Sequence, residues 1–136
     1  MYNSINIYWP FPVTIEGGGN NLVYTTAKYN DGNWHFAAVT CDGSSWSIYV
    51  DGIVHDLTVS LGSNTGEWFA DLSTQRDNVT IGFRKSTSNS AWMDGKLKDV
   101  RVYSVELTAK EVLDLYNRTR TGKIYPFNSS LNKLVV

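Results

Sequence analysis

The sequence reads as an all-β protein, an antiparallel β-sandwich of the jelly-roll type with one short C-terminal helix. Three observations carry that reading. Short runs of alternating apolar and polar residues recur through most of the chain. Asp-Gly, Asn-Asp-Gly and Gly-Gly clusters separate them at short intervals, as turns in a meandering sheet require. A helical spacing of apolar residues stands out once, near the C-terminus.

From the N-terminus, Ser4–Trp9 alternates with Ile5, Ile7 and Trp9 on one face, and Pro10 and Pro12 stop it. Gly17-Gly18-Gly19-Asn20-Asn21 is a turn; no helix follows that could place a phosphate on its N-terminus. Leu22–Lys28 is a second strand, closed by Asn30-Asp31-Gly32-Asn33. Trp34–Cys41 and Trp46–Asp51 form a hairpin that turns at Asp42-Gly43, with Trp46, Ile48 and Val50 sharing a face. Asp51-Gly52 then reverses the chain into Ile53–Val59, which completes a three-stranded meander.

Residues 60–77 form the longest loop, with Glu67-Trp68-Phe69 embedded in it. Asn78–Arg84 is a strand with Val79, Ile81 and Phe83 on one face, and Ser86–Ser90 is a loop. Trp92–Tyr103 reads as a strand broken at Asp94-Gly95. Leu97, Val100 and Val102 do not share a face under strict alternation, so a bulge is expected near Lys98-Asp99. Thr108-Ala-Lys-Glu111 is a capping box, Leu107 and Val112 stand at hydrophobic-staple positions, and Val112, Leu115 and Tyr116 form the helical stripe. The helix is expected to end near Asn117. Lys123–Phe127 is a candidate strand, and Leu134-Val135-Val136 is an apolar end that could add another.

With 136 residues, 42% of them hydrophobic, the chain has material for one packed core and is not of disordered composition. It divides into residues 1–117, the sandwich, and 118–136, a C-terminal extension that offers an extra strand or a partner contact. Residues 1–75 carry one base, Lys28, against seven acids, a net of −6, whereas residues 76–136 net +5. The two halves are therefore expected to attract each other or to intermix their strands, with a basic partner-binding edge as the sharper alternative. The bases are scattered and the pI is about 6.1, so nucleic acid is not an expected partner. Residues 1–15 are uncharged but too few to span a bilayer, and the start shows no basic signal-peptide region. Cys41 is alone, so no internal disulfide is expected.

Two motifs then become recognisable. Gly32-Asn-Trp34-His35-Phe-Ala-Ala-Val39-Thr40-Cys-Asp42-Gly43, followed by Ile48-Tyr49-Val50-Asp51-Gly52, resembles the central hairpin of laminin G-like domains in the concanavalin A-like lectin/glucanase superfamily. Met93-Asp94-Gly95-Lys-Leu97-Lys-Asp99-Val100-Arg101-Val102-Tyr103, then Leu107–Val112 and Leu115-Tyr116, resembles that family's closing strand and helix. The resemblance covers roughly residues 20–117. It implies packing roles for Trp34 and Trp46, a structural role for His35, and strand-pairing or loop-anchoring roles for Asp99 and Arg101. There are two departures. Lys98 stands where the family often has an acid, and only 33 residues precede Trp34, short of the usual N-terminal strands. A neighbouring chain supplies them, the sheets are reduced, or this is a segment of a longer protein.

No enzyme is expected. Glycoside hydrolysis needs two carboxylates flanking the scissile bond, and the superfamily's Glu-x-Asp-x-x-Glu strand signature does not occur. Glu67 and Asp71 lie four apart in a loop, and His35 and His55 have no triad or metal-ligand spacing. Cys41 reads as a buried, inert thiol. No cofactor is expected. Calcium is the one alternative, with Asp71, Asp77, Asn78, Asn89 and Asp94 as ligands the resemblance would allow at the rim.

The function expected is non-catalytic carbohydrate binding or adhesion, on an extracellular or virion surface. Exposed aromatics offer stacking area to the C–H faces of sugars, and short polar side chains fix their orientation. Trp92 with Asn89 and Asp94 is the preferred site, and Trp68 with Glu67 and Asn64 the second; each Trp could instead pack under its loop. The ligand would be a glycan or cell-surface saccharide. The alternative is a structural module completed by a neighbouring chain, with no glycan ligand. A homo-oligomer or larger assembly is expected, without membrane insertion. Asn78, Asn117 and Asn128 begin glycosylation sequons that matter only in a eukaryotic secretory pathway.

Overall fold

The computed structural model describes residues 6–8, 14–17, 21–66, 81–85, 90–121 and 134–135. Among these, strands β1 (Asn6–Tyr8), β2 (Thr14–Gly17), β3 (Asn21–Thr25) and β7 (Leu57–Leu61) form one antiparallel sheet in the order β1-β2-β3-β7. Strands β4 (Ala37–Cys41), β5 (Trp46–Val50) and β6 (Ile53–His55) form a second, also antiparallel. Two-stranded ribbons pair β8 (Phe83–Lys85) with β9 (Ser90–Trp92), and β10 (Val102–Tyr103) with β11 (Leu134–Val135). Helix α1 spans Ala109–Thr121. Mostly antiparallel strands with one short helix agree with the expected sandwich.

The core follows from the alternation along β5. Trp46, Ile48 and Val50 are buried together with Val23 of β3, and Tyr29, Val39, Cys41 and Leu57 pack against them. This cluster glues the two main sheets face to face, each buried aliphatic side chain contributing about 1.5–3 kcal/mol. Tyr49 points the other way. It is buried with Leu107, Val112 and Leu115, supported by Phe36, Ala38 and Tyr103. The meander is thus a middle layer, with a sheet on one face and the helix on the other.

The helix start forms as its sequence dictates. Thr108 N donates to Glu111 Oε2 at 2.8 Å, and Glu111 N donates to Thr108 Oγ1 at 3.3 Å, a reciprocal capping box. Leu107 and Val112, at the staple positions, are both buried. The helix continues past Asn117 to Thr121. Its last turns carry Thr119 and Thr121, whose hydroxyls donate back to the carbonyls of Leu115 and Asn117.

Several boundaries differ from the sequence reading. Strand β2 pairs on both sides, with β1 and with β3, yet the sequence reading assigned no strand between Pro12 and the glycine run and placed Gly17 in the turn. Ile53–Val59 is not one strand. It ends at His55, and after Asp56 the chain resumes as β7 in the other sheet, a corner between layers. In β7, Leu61 pairs with Leu22 and Val59 with Val23, so Ser60 is extra and forms a bulge. Trp92–Tyr103 keeps strand geometry only at its ends. Between them, Asp99 adopts φ 59°, and Arg101 grips its carboxylate with Nε at 2.8 Å and Nη2 at 2.7 Å. That irregularity replaces the expected bulge. Residues 78–80 and the candidate strand at 123–127 lie outside the described residues.

Candidate functional site

The loops and turns at the ends of the meander hold most of the polar chemistry. The β4–β5 hairpin has a four-residue loop, Asp42-Gly43-Ser44-Ser45, because Cys41 pairs with Trp46. Asp42 Oδ1 accepts from Ser44 N and Ser45 N, each at 2.7 Å, and from Ser44 Oγ at 2.8 Å. These bonds, led by the Ser44 amide, hold the Asp42 carboxyl down to about 2. Cys41 is half-buried, not buried: its Sγ accepts from Gly43 N at 3.3 Å and donates to Gly66 O.

The β5–β6 turn is the two-residue type that Asp-Gly favours. Asp51 and Gly52 take φ 52° and 80°, both positive, as a type I′ turn needs. Its Asp51 carboxylate has a second task. Oδ1 accepts from Phe36 N at 3.0 Å, and Oδ2 lies 2.8 Å from His35 Nδ1. His35 Nε2 lies 3.0 Å from Asp31 Oδ1, whose carboxylate also accepts from Asn33 N at 2.9 Å and Asn33 Nδ2 at 3.0 Å. A ring with carboxylates at both nitrogens donates at both only as the imidazolium. The Asp51 bond first, then the Asp31 bond, raises the His35 pKa above its ordinary value. The Asn33 amide, then its side chain and His35, hold Asp31 well below the usual carboxylate range.

Tyr29 lies between the two histidines. Its ring stands edge-on to His35 at 5.3 Å and to His55 at 5.7 Å between centroids, and its hydroxyl is 3.0 Å from His55 Nε2. Burial, then the Asp51 charge, raises its pKa. Sequence reasoning missed this cluster. The Asp31-x-x-x-His35 spacing was visible, but its closure by Asp51 and Tyr29 is tertiary. With both ring nitrogens occupied, His35 is a poor general base. The cluster fastens the 31–36 loop to the β5–β6 turn.

One consequence corrects an expectation. Trp34 is not a packing residue: it is 64% exposed, because the meander strand begins only at Ala37 and the loop before it is held from below by His35 and Phe36. Trp46, by contrast, is core as expected.

Of the expected sugar-site residues, Trp92 ends β9 and is 76% exposed, with Asp94 exposed and Met93 half-buried beside it. Met93 N donates to Gly82 O at 2.9 Å, which fixes the chain directly after Trp92. Asn64 is engaged elsewhere: its amide Oδ1 accepts from Trp46 N and its Nδ2 donates to Trp46 O. Asn89, Glu67 and Trp68 lie outside the described residues, as do Asp71, Asp77 and Asn78 of the calcium alternative. Among the described residues no group of three or more His, Cys, Asp or Glu side chains could hold a metal ion. No described helix is long and apolar enough to cross a membrane.

Comparison with known proteins bears on the whole of this frame. A laminin G-type family model, described as the concanavalin A-like lectin/glucanases superfamily, matches residues 2–113. No curated protein matches the chain significantly. A crystal structure of an S-layer domain-containing protein from Clostridium thermocellum is similar, with a TM-score of 0.53 and 17% sequence identity. The match covers 77% of this chain and 55% of that one, so the chain spans about half of the solved fragment. At that identity the likeness speaks for the fold.

Proposed function

The chain belongs to the concanavalin A-like lectin/glucanases superfamily, and on that premise we propose that it is a non-catalytic carbohydrate-binding or adhesion domain of a surface assembly. The observation that carries the reading is Trp92. Its indole stands exposed at the end of a paired strand, with the Asp94 carboxylate two residues on. A flat apolar face beside a short acceptor suits a sugar ring, which offers C–H groups to one and hydroxyls to the other. Asn89, and Trp68 with Glu67, are the further contacts proposed. The Asn64 amide, already bound to the Trp46 backbone, serves to position that second loop.

The non-catalytic part is supported by how the carboxylates are used. Asp31 and Asp51 clasp His35, Asp42 closes a hairpin, Asp99 holds Arg101 and Glu111 caps the helix. Those five carboxylates are structural, whereas a glycosidase needs a pair that faces its substrate. The surface setting is supported by the similar solved structure, which is of an S-layer domain-containing protein; a virion surface is the other setting considered.

Titration of the domain against immobilised and soluble glycans tests the proposal. Saturable binding weakened about tenfold by Trp92→Ala supports it, since an aromatic stack contributes about 1 kcal/mol beyond its buried area. No binding, or binding indifferent to that change, removes it. Polysaccharide hydrolysis abolished by Glu67→Gln would replace it with an enzyme.

A second reading, a structural module without glycan ligand, is favoured by one feature. Ile81, Leu97, Val100 and Val102 are all exposed on and before β10. Such a domain would self-associate or join a larger assembly, and sedimentation at micromolar concentration separates the two: a monomer speaks for the first reading.

A further inference from the structure

We propose that Trp34 is a second carbohydrate platform, specific for neutral oligosaccharides of sugars with equatorial hydroxyls and distinct from the site at Trp92. The inference rests on the reading that this domain binds glycans, and concerns a surface that the family resemblance had assigned to packing.

A scattered surface leucine needs no explanation. Trp34 differs in three respects. Its indole is unpartnered: it makes no ring contact or hydrogen bond with the described residues. Its loop is held in one conformation by five hydrogen bonds, from Asn33 N, Asn33 Nδ2 and His35 Nε2 to Asp31, and from His35 Nδ1 and Phe36 N to Asp51. Gly32 supplies the left-handed turn, φ 83°, that lets Asn33 fold back on Asp31. A large aromatic on a fixed loop gives contact area with little ordering entropy left to lose on binding.

The neighbours of the indole select the ligand. Asn30, Asp31 and Asn33 are exposed, and the Asn33 side-chain carbonyl is uncommitted among the described residues while its amide is bound. That is a short acceptor beside an aromatic face. A protein partner would better suit an apolar surround, which these residues do not provide. A pyranose with equatorial hydroxyls turns its axial C–H groups to the indole and its hydroxyls outward to such acceptors. Charge decides against acidic sugars: residues 1–75 net −6, and Asp31 stands fully ionised in the loop itself.

The experiment is a nuclear magnetic resonance titration of the full chain with cellohexaose and chitohexaose at about pH 6, where His35 is protonated. The five Trp indole N–H signals, assigned by single Trp→Phe variants, report each site separately. The expected result is a saturable shift of the Trp34 signal that persists in Trp92→Ala. Trp34→Ala should weaken that binding about tenfold while leaving the rest of the spectrum folded. A Trp34 signal unmoved by millimolar sugar overturns the proposal. If Trp92 alone responds, the first site stands and this one falls; if neither responds, both fall. A Trp34 shift that grows with protein concentration before sugar is added overturns it in favour of self-association. An equal response to hyaluronate hexasaccharide overturns the neutral class.

Discussion

Asn64 stands in for a missing strand beside Trp46. Strand β6 ends where His55 pairs with Ile48, so the next outward-facing backbone groups of β5, those of Trp46, have no strand to meet. The Asn64 side chain supplies an acceptor at 2.6 Å and a donor at 3.0 Å in their place. A buried aromatic can then sit at the end of a strand without leaving its peptide groups unsatisfied.

Asn64→Ala should therefore lower stability by about 2 kcal/mol, since two backbone groups lose their partner where water has little access. Urea unfolding measures it. Glycan binding at the proposed Trp92 site should be unchanged under native conditions, since Asn64 belongs to the other loop.

The His35 clasp predicts a pH dependence with a definite sign. Its pKa is raised in the folded chain, so its contribution is complete below the unfolded value near 6.5 and fades as pH rises through the higher folded value. Stability should fall with rising pH over that window, and His35→Gln should flatten the fall. The low values of Asp31 and Asp42 act in the opposite sense. Their contributions are present above about pH 4 and are lost as pH falls through their folded values. A urea midpoint series in both directions checks the two signs in one protein.

Two glycines separate backbone strain from packing. Gly52 and Gly43 both have φ above 80° or at it, so an alanine at either costs about 1 kcal/mol in backbone alone. A Cβ at Gly43 meets nothing within 4 Å, whereas at Gly52 it would lie 2.8 Å from Tyr116 Cδ1 and 2.9 Å from Leu113 Cδ1. Gly52→Ala should therefore cost about 1–2 kcal/mol more than Gly43→Ala, by displacing the helix from the meander. Chemical denaturation of the pair gives the difference, and Phe36–Tyr116 ring-current shifts report the displacement.

Thr40 offers a gain. Its hydroxyl is buried and has no hydrogen-bond partner among the described residues. Thr40→Val removes that group at nearly constant volume and should stabilise the domain by about 1 kcal/mol in calorimetry or urea unfolding.

What the sequence disclosed were features encoded over a few residues. The Trp46, Ile48, Val50 face follows from a period of two, and the Thr108–Glu111 box from a spacing of three. Both reappear in the structure. Features that depend on distant pairing were misread. Thr14–Gly17 becomes a strand because Asn21–Tyr24 lies against it, and Leu57 leaves its own meander to pair with Thr25. Trp34 was misplaced for a related reason. Alternation continues through residues 34–36, but Asp51, sixteen residues on from His35, binds that stretch side-on and ends the strand early. Trp92 and Asp94 are exposed as a sugar site would need, while most of its other members lie outside the described residues.

The corner at Asp56 also determines how the domain would carry a load. One residue joins the last strand of the meander to the outer sheet, and the Tyr29 hydroxyl, from the segment that follows that sheet's β3, braces the corner at His55. The layers are tied through main chain as well as through side-chain contacts. A pull that slides one sheet over the other must strain this covalent link and shear β7 from β3 along its full length, breaking the ladder together rather than unzipping it pair by pair. In a domain that carried tension between its layers, this connection would load the β3–β7 ladder in shear.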